Sequence, residues 1–126
     1  MKKIVILAIL MAISNLAIAG SHYTPQVSIN NTYRFAYGSM AGAHTSADSR
    51  QYIYCTTEKW PSSNGSSHTW CGATDSAGNT ALCSTWDSHL VEATMALSDE
   101  SYIMFYWDTN GNCTHIRVEN NSRYKE

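Results

Sequence analysis

Four cysteines, Cys55, Cys71, Cys83 and Cys113, constrain this chain more than any other feature. Their chemistry depends on the compartment, and the N-terminus speaks to that. Lys2 and Lys3 precede the apolar run "IVILAILMAISNLAIA", and Ala17 and Ala19 stand at the two small-residue positions that a signal peptidase reads. We therefore expect residues 1–19 to be a signal peptide and the protein to be secreted or periplasmic. The run is short and broken by Ser14 and Asn15, which argues against a membrane anchor. In an exported chain an even cysteine count reads as two disulfides. The spacings of 16, 12 and 30 residues hold no close C-x₂₋₄-C pair of the kind a zinc site uses.

Removing 19 of 126 residues leaves 107, enough for one small domain. It also removes two of the 8 basic residues while all 10 acidic ones stay, so the net charge becomes −4. Nucleic-acid binding, which needs a basic patch, is not expected. No second apolar run reaches spanning length, so no membrane span is expected after cleavage.

Residues 20–31 carry little pattern and read as a loose N-terminal arm, leaving 32–126 as a single α+β domain. "TYRFAYGS" and "RQYIYCTTE" alternate or enrich aromatic and β-branched residues as strands do. "KWPSSNGSSH" is a long polar loop with Trp60 at its entrance, and it holds His68. "DSAGN" suits a type I turn with Gly78 in the left-handed region, a three-residue hairpin loop. That register sets Cys71 opposite Cys83, close enough for a disulfide. Cys71–Cys83 with Cys55–Cys113 is the first choice of pairing, and Cys55–Cys71 across the Trp60 loop stays open. "WDSHLVEATMALSDE" is the one helix candidate, near 87–97, with Asp87 or Ser88 as its cap.

The second pentapeptide, "DTNGN", invites a calcium reading, since Asp108, Asn110, Asn112 and Glu119 have ligand-like spacing. Strand-like flanks and Cys113 at the sixth position, where a calcium loop needs Gly, argue for a hairpin instead. A two-residue Asn110-Gly111 loop sets Ile103, Phe105 and Trp107 against Val118, Ile116 and Thr114, a clean inner face. A three-residue loop would mix apolar and polar residues on both faces. The expected architecture is one antiparallel sheet of five or six strands, two disulfides, and a helix packed on Ile103, Phe105 and Trp107.

"SADSRQYIYC", "DSAGNTALCST" and "SYIMFYWDTNGNCT" resemble segments of small exported bacterial proteins of unassigned function. The likeness spans residues 33–122 and implies a shared four-cysteine scaffold, with no activity or site residue attached.

No nucleophile elbow, cofactor motif or histidine pair at metal-binding spacing occurs, so no catalytic, cofactor or metal residue is assigned. The aromatic supply has functional colour. Tyr52 and Tyr54 flank Ile53, so an inward Ile53 turns both tyrosines outward. Tyr102 and Tyr106 fall on the outer side of their hairpin in the same way. With Trp60 these are the candidate partner-binding residues, and the partner would be a protein or a glycan. The expected function is an exported binding or interaction protein. The alternatives are a small exported hydrolase or toxin with a site assembled around His115 or His68, and an inhibitor of an exported enzyme.

Overall fold

The computed structural model describes residues 20–61 and 64–124. The expected signal peptide lies outside the described residues. The chain is mostly β. Its strands are β1 (Ser28–Asn30), β2 (Phe35–Ser39), β3 (Tyr52–Lys59), β4 (Ser67–Thr74), β5 (Thr80–Thr85), β6 (Tyr102–Trp107) and β7 (Cys113–Glu119). Its helices are α1 (Met40–His44) and α2 (Ser88–Thr94), and a 3₁₀ turn spans Ser122–Tyr124.

In place of the single sheet expected, the strands divide into two antiparallel sheets. One has the order β1-β2-β6-β7 and the other β3-β4-β5. Period-two alternation tells a strand which side to bury, not which neighbour to join. Here the chain changes layer twice, through α1 and through α2. Ala36, Ile103, Phe105 and Ile116 from one sheet meet Ile53, Ala73 and Ala81 from the other in a shared core. An isolated bridge between Ser84 and Asn112 joins the layers at one corner, where the Ser84 amide donates to the Gly111 carbonyl at 3.0 Å.

The segment 20–31, expected to be loose, belongs to the fold. Val27 is buried and its amide donates to Gln51 Oε1 at 2.8 Å. Ser39 hydrogen-bonds the Pro25 carbonyl through both its amide and its hydroxyl. Ser28 through Asn30 then pair with β2 as an edge strand. Twelve residues rich in Ser and Asn show no period of their own, because it is the neighbouring strand that orders them.

The two pentapeptides turn alike, which corrects the two-residue loop expected for the second. The Gly78 amide donates to the Asp75 carbonyl at 3.0 Å, and the Gly111 amide to the Asp108 carbonyl at 3.2 Å. Both glycines have positive φ, 85° and 81°, which side chains disfavour. Asp108 Oδ1 accepts from the Asn110 and Asn112 amides, and Oδ2 accepts from the Asn112 side chain. These bonds, the Asn112 side chain first, hold the Asp108 carboxyl below its ordinary range. The carboxylate thus serves its own turn, and Glu119 lies at the far end of β7, opposite Tyr102. The expected inner pairs Ile103–Val118 and Phe105–Ile116 nevertheless form. A register shift between Tyr106 and Trp107 pairs Trp107 with Cys113 rather than Thr114 and absorbs the extra loop residue.

Asp87 caps α2 as expected, its Oδ1 accepting from the His89 and Leu90 amides. The helix ends at Thr94, short of 97. It rests chiefly on β7, with β3 and β4 beneath it, rather than on the β6 face that carries Ile103, Phe105 and Trp107. Thr94 hydrogen-bonds the Val91 carbonyl at 2.7 Å and Thr57 at 2.7 Å, and Thr57 bonds Thr69 at 2.5 Å. Running the donors from Thr69 to Thr57 to Thr94 to the carbonyl uses each hydroxyl proton once, so this polar cluster is satisfied.

The disulfides are Cys55–Cys71 and Cys83–Cys113. The first-choice pairing, Cys71–Cys83 with Cys55–Cys113, does not form. Cys71 does lie opposite Cys83, but it also lies opposite Cys55 on its other side, so three cysteines stand abreast. The bond from Cys83 to Cys113 on the other sheet leaves Cys71 for Cys55. In the double variant Cys55→Ser, Cys113→Ser, the register predicts a Cys71–Cys83 bond on oxidation. Peptide mapping should find that crosslink and no alkylatable thiol.

Candidate functional site

The outer face of the three-stranded sheet follows from what its inner face buries. Ile53 and Cys55 point inward on β3, Cys71 and Ala73 on β4, and Ala81 and Cys83 on β5. Alternation then turns Tyr52, Tyr54 and Glu58 outward on β3, His68, Trp70 and Gly72 on β4, and Leu82 and Ser84 on β5. Trp86 continues the outward set just past β5.

These rings form two touching groups. Tyr52 and Tyr54 lie 6.0 Å apart. His68 is 5.4 Å from Trp70 and stacks on Trp86 at 4.4 Å. Gly72 sets the height of the platform: a Cβ there would come within 2.7 Å of the Tyr54 ring. Only glycine lets that ring lie down on the sheet. Tyr52 is 49% exposed, Trp86 57% and Leu82 62%, so the surface is open to solvent. Trp60, 55% exposed, leaves the ladder one residue past the Lys59–Ser67 pair, at the entrance to the loop.

At the Trp86 end the face drops into a cavity of about 300 Å³. Gly65, Ser66 and Ser67 form one wall. Ser88, Val91, Glu92 and Met95 of α2 and the residue after it form the other, and Trp86 lines the space between them.

The candidate residues therefore divide. Tyr52, Tyr54 and Trp60 share this sheet, whereas Tyr102 and Tyr106 belong to the outer face of the other layer. There Phe35, Tyr37, Tyr102 and Tyr106 form a second set of touching rings. The C-terminal turn partly covers them: Tyr124 is buried, stacks on Tyr102 at 5.5 Å and donates to Glu119 at 2.8 Å. Tyr106 stays at the surface, edge-on to His115 in an open depression beside Thr114.

Trp70, Trp86 and Leu82 are missing from the sequence-based candidates, and His68 stands among them only for the hydrolase alternative. Counting by two from inward Cys71 and Cys83 would have found the first three. His68 was read as a loop residue but lies in β4. Comparison with protein-family models, curated proteins and solved structures finds no match to this chain.

Two expectations test this geometry. Gly72→Ala should lift the Tyr54 ring off the sheet and speed its iodination, with only a small change in melting temperature. Burial, then the neighbouring Tyr124 and Tyr37, pushes the Tyr102 hydroxyl up to about 12 from 10.0. A raised folded value means that the stability this group contributes is present below pH 10 and is lost as pH rises toward 12. Burial raises the Tyr124 hydroxyl as well, so ultraviolet difference titration should show two late-ionising tyrosines, one of them removed in Tyr102→Phe.

Proposed function

We propose that the protein is a secreted or periplasmic binding module, and that it takes its partner on the outer face of the three-stranded sheet. The observation that carries this reading is the set of outward rings on a crosslinked sheet, with Tyr52 and Trp86 exposed and Tyr54, Trp70 and His68 half-buried. Open apolar surface of this kind marks an interaction site more often than a structural one. Rigid aromatic side chains give up little conformational entropy on binding, which suits them to the task.

Support for export comes from the leader-like N-terminus and from the two disulfides, which persist in oxidising compartments. Among the described residues no helix is long and apolar enough to cross a membrane. Binding is favoured over hydrolysis at His68 because two indoles engage its ring, an arrangement suited to a platform rather than to proton transfer. The face on the four-stranded sheet is the lesser candidate, since the C-terminal turn already occupies Tyr102.

A double variant, Tyr52→Ala with Trp86→Ala, tests the assignment. Both side chains are about half exposed or more, so the melting temperature should hold within a few degrees. Capture of glycans and of culture-supernatant proteins by the immobilised chain should fall roughly tenfold or more. Capture equal to wild type would remove this face from consideration. Tyr106→Ala serves as the control on the other sheet and should leave capture unchanged.

A further inference from the structure

We infer that the cleft beside Trp86 is a subsite for one sugar ring of a neutral glycan chain. The inference rests on reading the aromatic face as the binding surface, and it names the class of ligand.

Trp86 has one face against His68 at 4.4 Å, which holds the ring, and it also lines the cavity. The face of an indole is electron-rich and apolar, and the C–H groups on one side of a pyranose complement it in the way an aromatic ring edge does. Ser67, Ser88 and Glu92 line the same cavity, bringing two hydroxyl side chains and a carboxylate to it. Paired sugar hydroxyls donate to a carboxylate and exchange hydrogen bonds with serine, and bonds to a charged acceptor are the stronger kind. A cleft that offers both an apolar floor and acceptors on its rim matches a ligand that is apolar on its faces and polar at its edges.

Charge narrows the class. Among the described lining residues Glu92 is the sole charged group. An anionic ligand such as a phosphate, a uronate or a nucleic acid would meet the Glu92 carboxylate, and the neighbouring cation, Lys59 beside Gly65, is not among the lining residues. A cavity of about 300 Å³ is at the small end of ligand sites, which suits one ring rather than a large molecule. Beyond the cleft the rings continue through Trp70 to Tyr54 and Tyr52 across the sheet. A linear chain seated at Trp86 would find further stacking surface there, whereas a free monosaccharide would not use it.

Affinity electrophoresis of the disulfide-bonded protein through gels containing soluble neutral polysaccharides tests this. The probes are mixed-linkage β-glucan, laminarin, galactomannan and soluble starch, with polygalacturonate as the anionic control. At least one neutral gel should retard the protein and the anionic gel should not. Trp86→Ala should abolish the retardation, Trp86→Phe should restore part of it, and Glu92→Gln should weaken it severalfold, all three with wild-type melting temperatures. Free passage through all four neutral gels overturns the glycan assignment. So does retardation that survives Trp86→Ala, or stronger retardation by polygalacturonate. The wider reading of the face is judged separately by the Tyr52, Trp86 double variant: if that variant loses capture of supernatant proteins while no neutral gel retards the wild type, the face binds a protein and the glycan inference alone falls.

Discussion

The Cys83–Cys113 bond is the constraint on which the rest of this structure depends. It ties the middle of one sheet's edge strand to the start of β7 in the other, beside the corner bridge from Ser84 to Asn112. The need for it lies in the core. Among the described residues the largest fully buried side chains are Phe105 and Ile103, followed by Thr69, Cys71, Cys83, Ser39 and Ser101. Alanine, cysteine, serine and threonine bury little apolar area, so the hydrophobic contribution of such a core is thin. Each disulfide adds about 2–4 kcal/mol by restraining the unfolded chain, a large share of the stability of a small domain.

A core of small side chains has a second consequence. It lets the two sheets approach closely and leaves most of the large rings outside. Ala36 and Gly38 turn inward on β2, and Phe35 and Tyr37 turn outward. On β3 and β4 the same division puts Ile53, Cys71 and Ala73 inside and Tyr52, Tyr54, His68 and Trp70 outside. One outer face receives the C-terminal turn and Tyr124. The other is open, and Gly72 lets Tyr54 lie flat upon it. The functional proposal thus grows from the same fact as the need for crosslinks: sulfur secures the interior, and the aromatic surface is left for contact.

Much of this was legible in the residues. Asp75 through Asn79 specify their turn, because Gly78 must adopt positive φ and Asp75 can satisfy the Asn79 amide and side chain itself. The inner row Ile103 and Phe105 against Val118 and Ile116 was readable from alternation. The length of the second loop was not legible, because alternation alone implies an unbroken ladder. A bulge beside Trp107 permits the longer loop and the apolar register together. Of the candidate site, the outward direction of Tyr52 and Tyr54 followed from Ile53. Their company with Trp86 and His68 did not, since it arises from strands brought side by side and from a ring stack formed only after β5 ends.

By itself the sequence determined local things: the hairpin turns, the side each strand buries, the cap of α2 at Asp87, and two pairs' worth of cysteines. Tertiary structure alone decided the partners. Segment 20–31 became an ordered edge because β2 offered it a ladder, and Tyr102 parted from Tyr52 because the strands divided between two layers. The cysteines show the reason most plainly. Cys71 has Cys55 opposite it on one side and Cys83 on the other, so register alone admits either bond. The choice falls only when the second sheet packs against the first and brings Cys113 to Cys83.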